Sequence, residues 1–136
     1  MPSLLSARLA CCAAMVRPGA AVADVGTDHG YLAIYLLQQQ IASQVIAADL
    51  RAKPLEKARQ NARMAGVEEK IRFYLCDGLT EVAPDQIDTV ICAGMGGDTI
   101  VHILKQASWL QNARYTLILQ PQTSGNDLRR YLGTAG

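Results

Sequence analysis

Little in this chain's composition marks a specialised class. Thirteen Lys and Arg stand against twelve Asp and Glu, a formal charge of +1. That balance gives no global basic signal for a nucleic-acid binder, although a local basic patch vanishes in a net count. There are only two histidines, and the four cysteines, Cys11, Cys12, Cys76 and Cys92, form no C-x-x-C pair. The spacing suits neither a disulfide framework nor a zinc site, so no metal is expected and the cysteines read as small buried hydrophobes. No segment reaches 18 uncharged apolar residues, which argues against a membrane span. The apolar start, MPSLLSARLACCAAMVRPG, is interrupted by Arg8 and lacks a basic run before it. It reads as an amphipathic helix rather than a secretion signal, and the cytoplasm follows as the expected compartment. Internal repeats and low-complexity tracts are absent too.

What is present is a chain of 136 residues that is 50% hydrophobic. That is too apolar and too weakly charged for disorder, and its length suits one domain. Ser3 or Ser6 can cap a first helix to about Val16, with Leu5, Leu9, Cys12, Ala13 and Val16 on one face. Short unalternating apolar runs follow at Ala21–Val25, Gln44–Ala48, Ile71–Leu75, Ile87–Ala93 and Thr116–Leu119, the last broken by Pro121. Helices are expected over Tyr31–Gln39, Pro54–Ala65, Asp98 or Thr99 to Trp109, and Asp127–Leu132. Buried strands alternating with helices imply an α/β fold, an open, mostly parallel sheet with helices on both faces.

In such a sheet ligands sit beyond the carboxyl ends of the strands. The first strand ends in Asp24, Val25, Gly26, Thr27, Asp28, His29 and Gly30; the second in Asp49; the third in Asp77-Gly78; the fourth in Gly94-Met95-Gly96-Gly97; the fifth in Gln120-Pro121. Their joint placement is a stronger signal than any one of them. The loop GTDHG lacks the middle glycine of G-x-G-x-x-G, which disfavours a nicotinamide dinucleotide, and no Gly-Lys-Ser/Thr follows it. Asp49 can accept from a ribose diol, or be a solvated loop residue. Asp77 can accept from an adenine amino group, or serve an Asp-Gly turn. Asp24, at the edge of a buried strand, must be paired or hydrogen-bonded. His29 is a candidate for chemistry or for local packing; His102, within a helix, reads as structural. Met95, between glycines in an expected loop, suits ligand contact better than core packing. Lys53, Lys57 and Arg63 share a helix and form either a solvated face or a phosphate-contact surface.

At VADVGTDHGYL (Val22–Leu32) the chain resembles the bacterial tRNA (adenine-22-N1)-methyltransferase family. The likeness continues through AADL (Ala47–Leu50), GVEEKIRFYLCDGL (Gly66–Leu79), DTVICAGMGG (Asp88–Gly97), LILQP (Leu117–Pro121) and DLRRYL (Asp127–Leu132). The resemblance implies a Rossmann-like class I methyltransferase core that uses S-adenosyl-L-methionine and acts on tRNA. It implies that Asp24, Gly26, Thr27 and Gly30 line the methionine moiety. Asp49 and Leu50 would flank the ribose, Asp77 and Gly78 the adenine, and Gly94, Met95 and Gly96 the meeting point of cofactor and target base. Asp28 and His29 are the candidate catalytic residues. Many family members read Ala where this chain has Gly30. The family pattern also continues past the LRRYL segment with the last strands and a helical tRNA-binding domain. Residues 1–136 are therefore expected to be one cofactor-binding domain that lacks those parts, with an exposed sheet edge open to self-association. A fragment that binds cofactor without activity, or a methyltransferase with another nucleic-acid or small-molecule substrate, are the alternatives. The AGMGG segment does not match the N/D-P-P-Y signature of many amino-group methyltransferases.

Overall fold

The computed structural model describes residues 5–123 and Leu132. Helix α1 spans Ala7–Ala14, and Ser6 caps it by accepting a hydrogen bond from the Leu9 backbone N–H at 3.2 Å. Then come β1 (Ala20–Val25), α2 (Tyr31–Gln38), β2 (Ala42–Asp49), α3 (Ala52–Met64), β3 (Ile71–Leu75), β4 (Thr89–Gly96), α4 (Gly97–Gln106) and β5 (Thr116–Thr123). The five strands form one sheet of order β3-β2-β1-β4-β5, and every neighbouring pair is parallel. The α/β reading holds, with helices on both faces.

Each face has its own core. On one side α1 and α2, with Ala62 of α3, bury Cys12, Leu32, Leu36 and Leu37 against Val22, Val45, Ile91 and Ile118. On the other, Ile100, Ile103 and Leu104 of α4 cover Ala23, Ile46, Val90 and Cys92. Successive strand residues serve opposite faces, so the covered stretches Ala20–Ala23, Val45–Ala48 and Val90–Ala93 read as apolar runs, whereas β3 exposes Arg72 and Leu75.

Several boundaries differ from the sequence expectation. Helix α3 begins at Ala52, not Pro54, because a proline inside the first turn lacks only an N–H that has no helical partner there. Helix α4 ends at Gln106, and a separate 3₁₀ turn, Ser108–Gln111, carries Trp109. Strand β5 runs through Pro121 to Thr123 instead of stopping. Its pairing with β4 is irregular where Met95 faces Pro121, and a proline is tolerated at such an irregularity. Gly94, Met95 and Gly96 are not a loop: they continue β4, with register irregularities on either side of Met95. Cys12, Cys76 and Cys92 are buried as expected, but Cys11 is exposed. Apart from Leu132, the helix expected over Asp127–Leu132 lies outside the described residues, as does Ser3. No described helix is long and apolar enough to cross a membrane.

Candidate active site

Sheet order places β1 and β4 side by side at the point where the chain's direction of winding reverses, the position at which parallel α/β sheets open a crevice. A cavity of about 390 Å³ lies there, beyond the carboxyl ends of the strands. Its wall includes Asp24, Gly26, Thr27, Asp28, His29, Asp49, Leu50, Asp77, Gly78, Gly94 and Met95. Residues from four separate strand ends thus meet in one space. Gly30 and Gly96 stand outside the lining. Gly30 instead begins α2 at φ +79°, and a Cβ there would lie 2.9 Å from that of Ala58 on α3. Gly96 is the residue that leads into α4.

The carboxylates differ in what holds them. Asp24 is 4% exposed and accepts a 2.9 Å hydrogen bond from the Thr27 hydroxyl. Burial pushes its pKa up to about 7; the Thr27 bond opposes this, and the nearby Asp49 and Asp28 charges add to it. Asp49 is also buried, yet its oxygens accept the backbone N–H of Asp28 at 3.0 Å and of Arg51 at 2.9 Å. One side chain therefore fixes the loop after β1 and the turn after β2. Asp77, half exposed, accepts from Gln106 at 3.1 Å and lies 3.2 Å from His102 Nε2, which holds its carboxyl below the usual carboxylate range. His102 is thus tied to the site rather than to the core.

Asp28 takes a left-handed backbone conformation, φ +56°, uncommon for a residue with a side chain. Its Oδ1 lies 3.1 Å from His29 Nδ1 and 3.7 Å from an Arg51 nitrogen. The His29 ring stacks on Tyr31 with centroids 5.8 Å apart, and its carbonyl accepts from the Asn61 side chain of α3. The dipeptide is held from both sides. Across the cavity, Met95 packs over Gly26: a Cβ at Gly26 would come within 2.6 Å of the Met95 methyl. Gly26, at φ +71°, is held to glycine by its backbone conformation, while the Met95 methyl is the free end of a flexible side chain and can give way. The Gly94 N–H donates to the Gln120 side chain at 3.1 Å, which anchors the end of β4 to β5.

The sequence reading missed Arg8, Arg51, Cys76, Thr99 and Gln122, all of which line the cavity. Arg51 carried a signal in its closeness to Asp49. Arg8 carried none, because α1 reaches the site only through folding, where its guanidinium lies against Gly94. Among the lining residues four carboxylates face two guanidiniums, so the cavity favours a ligand with cationic groups. Among the described residues no group of three His, Cys, Asp or Glu side chains could hold a metal ion.

Comparison with known proteins agrees with this geometry. A family model described as a methyltransferase domain matches residues 5–136. The tRNA (adenine(22)-N(1))-methyltransferase of Bacillus subtilis is 34% identical over 94% of this chain and 54% of its own length. The crystal structure of the B. subtilis M1A22 tRNA methyltransferase TrmK superposes with a TM-score of 0.91 at 32% identity, covering 97% of this chain and 56% of that one. Sp1610 of Streptococcus pneumoniae, solved in complex with S-adenosyl-L-methionine, gives 0.91 at 37% identity, covering 98% and 63%. The chain therefore spans little more than half the length of these relatives. Over what it spans, strand order, cavity position and family match converge, and the chain belongs to the methyltransferase-domain family.

Proposed function

We propose that the chain is the S-adenosyl-L-methionine-binding core of an enzyme that methylates N1 of adenine 22 in tRNA. The observation that carries the proposal is the convergence of Asp24, Asp49, Asp77 and the Gly94–Met95 segment on one cavity at the strand ends. The residues fit the cofactor. About 390 Å³ lies in the range of small-molecule sites, roughly 300–1,000 Å³. The acidic lining suits an ammonium and a sulfonium, and Gly26 allows close backbone approach.

When bound, S-adenosyl-L-methionine supplies a methyl group activated by a positive sulfur. Adenine N1 carries a lone pair at neutral pH, so no base is needed before attack, and the protein's contribution is positioning and electrostatics. Asp49 is assigned to the ribose hydroxyls, with Leu50 beside them, and Asp77-Gly78 to the adenine. Asp24, Gly26, Thr27 and Gly30 are assigned to the methionine moiety, Gly30 by shaping the loop from behind. Gly94, Met95 and Gly96 border the place for the target base, which has to leave its stack to arrive there. His29 suits the proton that the methylated, cationic base sheds. Its Nδ1 lies 3.1 Å from Asp28 Oδ1, which orients the ring at the cavity wall.

In this reading tRNA is the partner and the cytoplasm the compartment. Self-association would use the side of β5 that has no strand neighbour among the described residues, and sedimentation at rising concentration reads it. The deciding experiment measures S-adenosyl-L-methionine binding and methyl transfer to tRNA by this chain. Binding with N1-methylated adenine 22 supports the proposal. Binding without transfer makes the chain a cofactor module, and a preference for NAD overturns the reading.

A further inference from the structure

The turn after β3 and the outer face of α4 are joined by contacts that the assignments above do not use. His102 and Gln106 are four residues apart on α4 and so share one face of it. Both reach the same oxygen of Asp77, Oδ2, His102 Nε2 at 3.2 Å and Gln106 Nε2 at 3.1 Å. Among the described residues Oδ1 has no partner. The turn lies close enough to α4 that a Cβ on Gly78 would be 3.0 Å from the Gln106 side-chain oxygen and 3.1 Å from Ile103. Gly78 also has φ +62°. The backbone there is thus placed by contact with α4, and the carboxylate is held by two donors from it.

A carboxylate on an exposed turn ordinarily samples several rotamers, and ordering it on binding costs affinity. Two donors fixed on one oxygen remove that freedom beforehand. They leave the second oxygen as the acceptor available to a group in the cavity, which Asp77 lines. Adenine meets that oxygen with its exocyclic amino group, a donor; a purine with a carbonyl at the same position meets it acceptor to acceptor.

We infer that His102 and Gln106 are positioning residues for adenine recognition, acting through Asp77 to make the site select an amino group at the purine 6-position. The inference rests on the S-adenosyl-L-methionine reading above. It gives α4 two tasks, since the helix begins at Gly97, directly after the segment assigned to the target base.

The test uses the full chain, calorimetry and two probes, S-adenosylhomocysteine and S-inosylhomocysteine, which differ at that 6-position. Both α4 side chains are exposed, so truncation leaves the fold intact, which melting curves check. His102→Ala or Gln106→Ala is expected to weaken the adenine probe about three- to tenfold, the worth of one hydrogen bond, and to leave the inosine probe within about twofold. His102→Gln, which keeps an N–H within reach of Asp77, is expected to restore most of the loss. Equal losses for both probes, or no loss for either, overturn the inference while the cofactor reading stands. Wild-type protein that binds neither probe overturns that reading and the inference with it.

Discussion

Asp24 offers a direct measure of how the site is built. Its carboxyl is buried and its pKa stands at about 7 against an ordinary 3.8. Below its ordinary value it is protonated in both folded and unfolded chains and has no effect on stability. Between about pH 4 and 7 the folded protein keeps a proton that the unfolded chain has released, so stability falls as pH rises. Above pH 7 the loss is complete. A gap of about three pH units, at about 1.36 kcal/mol each, sets an upper limit on the order of 4 kcal/mol. Water in the cavity that Asp24 lines screens part of this, so about 1–4 kcal/mol is the working range. Asp24→Asn removes the charge and keeps an acceptor for the Thr27 hydroxyl. Urea unfolding of the ligand-free protein at a series of pH values reads the difference between variant and wild type, in which the histidine contributions cancel. The variant should gain on the wild type steadily from about pH 4 to 7 and level off above. Parallel stability curves over that range would refute the account of a desolvated carboxylate. A cationic ligand has the opposite effect: it favours the ionised form, so its binding near pH 7 should release a proton. Calorimetry in buffers of different ionisation enthalpy detects that.

Three further outcomes are expected. Asp49→Ala removes the acceptor of two backbone N–H groups, so it should lower stability by about 1–3 kcal/mol and weaken S-adenosylhomocysteine binding at least about tenfold. Unchanged affinity by calorimetry would exclude Asp49 from the ribose site. His29→Ala in a chain competent for transfer should slow single-turnover methylation about 10²-fold or more while cofactor affinity is largely kept, and a wild-type rate would remove His29 from the proton path. Gly30→Val places a β-branched residue at φ +79° against Ala58, and a loss of about 2–4 kcal/mol in denaturant unfolding is expected; a variant as stable as wild type would show that α2 and α3 can separate without cost.

The central strands were legible because sheet positions covered on both faces admit almost only apolar residues, and the runs of β1, β2 and β4 ended in Gly26, Asp49 and Gly94. Helix α3 was legible from Pro54 and Gly66. Strand β5 was cut short because Pro121 is a breaker in a regular ladder, and only the three-dimensional register shows that its pairing with Met95 is irregular. Met95 looked like a loop residue because its glycine neighbours suggest a turn; in three dimensions those glycines let β4 continue beside Gly26. The carboxylates at the strand ends could be found one by one in the sequence. The helix residues that reach the site could not: His102 and Gln106, which hold Asp77, Asn61, which donates to the His29 carbonyl, and Arg8, beside Gly94, come from helices whose rotation about the sheet no local spacing encodes.

Strand order also bears on how the chain is made. β1 lies at the centre of the sheet, and Asp24 is flanked by Ala47 of β2 on one side and by Ile91 of β4 on the other. On the ribosome, β1, β2 and β3 emerge in turn and can pair while β4 is still unsynthesised. Throughout that interval β1 presents an apolar open edge, and α4, which covers the second face, does not yet exist. A nascent chain paused there is a target for chaperones and for pairing with another nascent chain. The same delay means that no partial product shorter than β4 has a complete pocket, so ligand binding reports on a sheet assembled at least through β4.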